Sequence, residues 1–133
     1  IALIAIDGLA VAPLAREATV QRGAVVAIQG FPFGGPFVSS GAEVADVGAL
    51  AVNQGDAASP SPRQAYTLAA DVNPGNSGGP VLTLEGAVVG MVFARALSRD
   101  DVGFALTMEE LNPVIEAAPA LTDAVATGTC SRG

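Results

Sequence analysis

Asn73-Pro74-Gly75-Asn76-Ser77-Gly78-Gly79-Pro80 is the stretch on which the reading of this chain turns. It lies between two apolar runs and sets turn-forming residues on both sides of one serine. A serine hydroxyl is a weak nucleophile at neutral pH, and it needs a base beside it and N–H donors ready for the oxyanion formed on attack. Gly75 can adopt the φ values that turn its own amide and that of Ser77 toward one point. Ser77 is therefore the candidate nucleophile, and Gly75, Asn76 and Ser77 the candidate oxyanion-hole residues. Gly78 and Gly79 leave room for close backbone approach, and Pro80 opens an outgoing strand. A loop of this composition can also serve only to turn the chain. The order strand, turn, strand, hairpin, strand around Ser77 favours the catalytic reading.

Working outward, strand-like runs are expected at residues 24–29, 37–47, 64–70, 80–84, 87–94 and 102–106, separated by Gly-, Pro-, Asn- and Ser-rich turns. Leu84-Glu85-Gly86-Ala87 reads as a two-residue hairpin. Six short strands so punctuated predict an all-β fold, a six-stranded antiparallel Greek-key barrel. Ile1-Ala2-Leu3-Ile4-Ala5-Ile6 alternates large apolar residues with alanine, as a further half-buried strand does, and Asp7-Gly8 closes it. Thr107-Met108-Glu109-Glu110 reads as a capping box opening a helix over 108–117, which Pro119 stops.

The chain of 133 residues, 50% hydrophobic and 14% charged, is large and apolar enough to bury a core, and its composition is not that of a disordered segment. Six Lys and Arg against 13 Asp and Glu give a net charge of −7, which argues against nucleic acid as a partner. With no histidine and one cysteine, the sequence does not assemble a zinc or copper site, and no metal or cofactor is expected. Asp100-Asp101 reads as a solvated loop pair rather than a calcium site. No apolar run approaches the ~20 residues that span a bilayer. The first residue is Ile1, inside an apolar run, so a longer parent protein is expected.

Residues 73–80 resemble the nucleophile motif of the trypsin superfamily, in the version carried by HtrA-like bacterial proteases. Gly30-Phe31-Pro32-Phe33-Gly34-Gly35 resembles that group's loop after the first strand of its second barrel, and Gly103-Phe104-Ala105-Leu106 resembles its segment before the terminal helix. The ending Ala126-Thr127-Gly128-Thr129-Cys130 resembles the membrane-anchored periplasmic serine proteases of actinobacteria.

The resemblance implies that residues 23–107 are the C-terminal barrel of a serine endopeptidase and 108–133 its terminal helix and tail. Residues 1–22 would be the last strand of a first barrel and the inter-barrel connector. It implies a triad aspartate just before Ile1 and a triad histidine further upstream, on a first barrel acting as partner to this half. The chain alone is accordingly expected to be inactive. Asn76 stands where trypsin-like zymogens carry an aspartate that pairs with a new N-terminus, a pairing a neutral amide does not make; the alternative is that Asn76 only caps the turn. Asp71 and Asn73 would border the substrate pocket, with Asp71 either its acidic floor or simply a partner of neighbouring amides. Val92, Phe93 and Ala94 would bind a polypeptide substrate by β-augmentation, or else pack in the core. Cys130 is a disulfide candidate to the first barrel, in an extracytoplasmic parent anchored to a membrane. Two other readings stand beside this one: a non-catalytic protease-like module that binds peptides, and an α/β-hydrolase, against which the strands on both sides of Ser77 argue.

Overall fold

The computed structural model describes residues 1–52, 61–126 and 128. Six strands, β1 (Val25–Gly30), β2 (Val38–Val52), β3 (Ser61–Ala69), β4 (Pro80–Leu82), β5 (Val88–Arg95) and β6 (Val102–Thr107), close one antiparallel barrel in the order β1-β2-β3-β6-β5-β4. Closure leaves each of these six strands with a neighbour on both sides. The two halves of the sequence, β1–β3 and β4–β6, each form a meander, and β3–β6 and β1–β4 pairing joins them into the expected Greek-key barrel.

Period-2 patterning explains which side chains fill it. Val26 and Ile28 of β1, Val44 of β2, Tyr66 and Leu68 of β3, and Val89 and Val92 of β5 are all essentially buried, while Val25, beside them, is exposed. Gly90 leaves no room for a Cβ, which would meet the Leu106 carbonyl oxygen at 2.5 Å and the Tyr66 ring at 3.0 Å. The Tyr66 hydroxyl accepts from the Val20 amide at 3.0 Å and donates to the Val89 carbonyl at 3.1 Å, tying the incoming segment to the barrel. Burial pushes the Tyr66 phenol above its ordinary pKa, and the Val20 hydrogen bond partly offsets this.

Four sequence expectations change. Residues 1–6 form no strand, because a strand needs a ladder partner and the closed barrel offers none. Ile1, Ile4 and Ile6 remain exposed. β2 runs on to Val52 because β3 supplies partners as far as Ser61, with a register shift between Val44 and Asp46 bending the long ribbon. The 84–87 hairpin has a three-residue loop. The Gly86 amide donates to the Thr83 carbonyl at 3.0 Å, and Gly86 takes φ +87°, a turn followed by a bulge residue.

The helix α1 (Met108–Ala117) has the expected span, but the capping box does not form. Thr107 Oγ1 is buried without a partner among the described residues. Glu110 instead reaches β3: its Oε1 accepts from the Gln64 amide at 2.9 Å and its Oε2 pairs with Arg63 at 3.1 Å. Met108 and Leu111 bury the inner face of the helix. Among the described residues no helix is long and apolar enough to cross a membrane.

Candidate active site

Ser77 sits at the mouth of the barrel, between the end of β1 and the middle of β5. Its side of the turn is pinned to β5: the Gly78 amide donates to the Val92 carbonyl at 2.8 Å, and the Val92 amide donates to Gly79 at 2.9 Å. The other side is pinned to the loop after β1. The Phe31 amide donates to the Gly75 carbonyl at 3.1 Å and the Phe33 amide to the Pro74 carbonyl at 2.6 Å. Gly75 has φ +100°, and a Cβ on it would collide with the Phe31 carbonyl, so only glycine fits.

Inside the turn, the Asn76 amide donates to Asn73 and the Gly79 amide to Asn76, both at 2.9 Å. Among the described residues the amides of Gly75 and Ser77 have no acceptor. The two N–H groups left open are thus the two that an oxyanion would need. The Ser77 side chain is exposed, and its Oγ donates to the Phe93 carbonyl at 3.4 Å. A register shift between Val92 and Ala94 leaves Phe93 out of the β5–β6 ladder, a bulge that frees its carbonyl to face the serine.

The remaining sequence candidates divide. Phe93 and Ala94 are half-buried on the outer side of β5, and the Phe93 ring lies 6.4 Å from that of Phe104. Val92 points into the barrel, and both its backbone groups are engaged by Gly78 and Gly79, so it supports the site from within. Asp71 is exposed, and its Oδ1 accepts from Asn73 Nδ2 at 3.0 Å. Between Asp71 and Asn73, Val72 is buried over Gly103, where a Cβ would strike its side chain.

Asn76 is 4% exposed, and its Oδ1 has no partner among the described residues. The main chain of Asn76 closes the turn and its side chain does not. Cys130 lies outside the described residues. Asp100 and Asp101 pair with Arg95 and Arg99 at 3.4 and 2.7 Å, and the hydrogen bond from Arg99 holds the Asp101 carboxyl below its ordinary pKa. Among the described residues no acidic or sulfur cluster fit to hold a metal is present.

The bracing of the turn by residues 31–33 has no local sequence signal beyond the Gly- and Pro-punctuated run Gly30-Phe31-Pro32-Phe33-Gly34-Gly35; in the structure Phe33 takes φ +56°, a left-handed conformation uncommon for a non-glycine residue.

Residues 1–91 match the model of the trypsin-like peptidase domain. The chain is 36% identical over 133 residues to the serine protease Rv3671c of Mycobacterium tuberculosis, a match covering 98% of this chain and 33% of that protein. The chain thus spans about a third of the length of that curated relative. The crystal structure of the Rv3671c protease in its active form superposes with a TM-score of 0.84 at 36% identity, covering 95% of this chain and 56% of that one. The HtrA-type protease AlgW with a decapeptide shares the fold at a TM-score of 0.67 and 22% identity, over 81% of this chain and 33% of that one.

Proposed function

The chain belongs to the trypsin-like peptidase family, and from that membership we propose that it is the nucleophile-bearing barrel of a serine endopeptidase. One observation carries the reading: in a turn where Asn76, Gly78 and Gly79 all spend their amides on backbone carbonyls, Gly75 and Ser77 have no acceptor for theirs among the described residues and lie beside an exposed hydroxyl.

In this reading a polypeptide lies along the outer side of β5 at Phe93 and Ala94, adding a strand next to the bulge. Ser77 Oγ attacks the scissile carbonyl as its proton passes to an imidazole. The Gly75 and Ser77 amides then hold the oxyanion of the tetrahedral intermediate. Collapse of that intermediate releases the amine half, protonated by the same imidazole, and water completes hydrolysis of the acyl-enzyme. The sequence contains no histidine. The base and its orienting carboxylate come, in this proposal, from a first barrel in the longer parent, and the family relative's greater length is compatible with that arrangement. The parent is proposed to act outside the cytoplasm from a membrane anchor, with Cys130 in a disulfide to the first barrel.

A fluorophosphonate, which labels only an activated serine, tests the reading on the full-length protein. Stoichiometric labelling, abolished by Ser77→Ala and absent from residues 1–133 alone, is the expected result. Rapid labelling of residues 1–133 alone would overturn the need for a first barrel. Peptide binding by the full-length protein without any labelling would replace the endopeptidase with a non-catalytic peptide-binding module.

A further inference from the structure

β5 outruns β4. The two strands pair only from Leu82 and Val88 to Pro80 and Met91, and at Val92 the place of β4 is taken by Gly78 and Gly79, which bond both main-chain groups of Val92. β6 accompanies β5 further, as far as the pair of Arg95 with Gly103. Phe93, Ala94 and Arg95 therefore have a strand on one side and, among the described residues, none on the other.

Alternation along the strand decides which groups face that open edge. The Ala96 amide donates to the Val102 carbonyl at 2.9 Å, so Arg95, next to it, turns its own N–H and C=O away from β6. The Phe93 carbonyl lies on the same edge, where it meets Ser77 Oγ. A donor and an acceptor at Arg95 and an acceptor two residues before it are what an added strand bonds to. Gly78 and Gly79 occupy the edge at Val92, so the pairing of such a strand ends beside Ser77. A substrate lying along β5 requires this edge to stay clear in a longer parent as well.

Every strand pairing in the barrel is antiparallel. In an antiparallel substrate whose residue opposite Phe93 carries the scissile carbonyl, the residue two positions earlier lies opposite Arg95. Residues directly opposite each other project their side chains to the same face of a sheet. The Arg95 guanidinium is free to serve there. Its side chain is 45% exposed, and it meets Asp100, 92% exposed, at 3.4 Å, a contact too long and too wet to hold it. Arg99, the other cation of this loop, is instead engaged by both oxygens of Asp101, at 3.0 and 2.7 Å.

We propose that Arg95 determines specificity by selecting an acidic side chain on the third residue of the acyl side, counted back from the scissile bond. The assignment rests on Ser77 being the nucleophile. A substrate carboxylate opposite Arg95 displaces Asp100 and gains a guanidinium partner, whereas a lysine there meets a like charge.

Internally quenched peptides that differ only at that third residue, carrying glutamate, alanine or lysine, test this with the full-length protein. The expected kcat/KM is about 5-fold or more higher for glutamate than for lysine at low salt. The ratio is expected to shrink as salt is raised, because both charges are exposed. Arg95→Ala is expected to bring it close to one, Arg95→Glu to invert it and Arg95→Lys to retain the preference. Circular dichroism checks that these variants, made at an exposed side chain, keep the barrel.

A matching series varied at the second residue after the scissile bond is expected to show no dependence on Arg95. A dependence confined to that series would reverse the strand direction and overturn the assignment. Equal rates for glutamate and lysine in the wild-type protein, or a ratio untouched by Arg95→Ala, would also overturn it. Failure of the wild-type protein to cleave any peptide would instead overturn the reading of Ser77, whereas cleavage without charge preference counts against Arg95 alone.

Discussion

The Phe31 amide donates to the Gly75 carbonyl oxygen at 3.1 Å, and this bond joins the end of β1 to the turn that carries Ser77. With the Gly75 carbonyl held by Phe31, the peptide between Gly75 and Asn76 is fixed in direction. The Gly75 φ of +100° then sets where its own amide faces. The conformation of the turn is thus determined by a segment more than forty residues away in sequence.

Gly75→Ala tests that coupling. Its Cβ would meet the Phe31 carbonyl, and the positive φ is strained for alanine. In the full-length protein kcat/KM for a peptide is expected to fall by about 100-fold or more, the usual effect of losing an oxyanion donor. Circular dichroism should show the barrel retained. Full activity in this variant would remove the Gly75 amide from the mechanism.

Tyr66→Phe deletes a hydroxyl that serves the Val20 amide and the Val89 carbonyl. Leaving these groups without partners in the interior is expected to cost about 1–3 kcal/mol in urea unfolding. The same phenol predicts a pH effect. Its folded-state pKa is raised above the unfolded value of 10.0 by burial, so the folded chain holds the proton more tightly. Stability is then intact below about pH 10 and falls as pH rises from there through the folded-state pKa, a slope that Tyr66→Phe should abolish.

Thr107→Val is expected to be neutral or to stabilise by about 1 kcal/mol, because the Thr107 hydroxyl is buried without a partner among the described residues. A loss of more than about 1 kcal/mol on thermal unfolding would mean that the hydroxyl has a partner after all and that a capping role survives.

Glu110→Ala and Arg63→Ala should differ although they break the same ion pair. Arg63 keeps 42% of its side chain exposed, and its loss should cost under about 1 kcal/mol. Glu110→Ala also strips the acceptor from the Gln64 amide, and about 1–3 kcal/mol is expected. Equal costs would show that the β3 amide finds another partner.

Much of this protein was legible as sequence. Alternating apolar residues and turn chemistry specify six strands, and Gly-Asn-Ser-Gly-Gly between two of them specifies the turn that presents Ser77. These are local signals, set by side-chain period and by the φ values that glycine alone adopts without strain.

Where local pattern and pairing competed, pairing won. Residues 1–6 alternate like a strand and remain unpaired, while β2 continues past its expected end because β3 lies beside it. Glu110, placed by its spacing to cap its own helix, is drawn to the unfulfilled amide of Gln64, forty-six residues back.

The sequence by itself determined the barrel, the serine and the absence of an imidazole from this chain. Only the tertiary structure decided which amides of the turn stay open, that Phe93 bulges to face Ser77, and that β5 outruns β4 to leave Arg95 on an open edge. The physical reason is that each of these depends on hydrogen bonds and contacts between segments far apart in the chain, which no local propensity encodes.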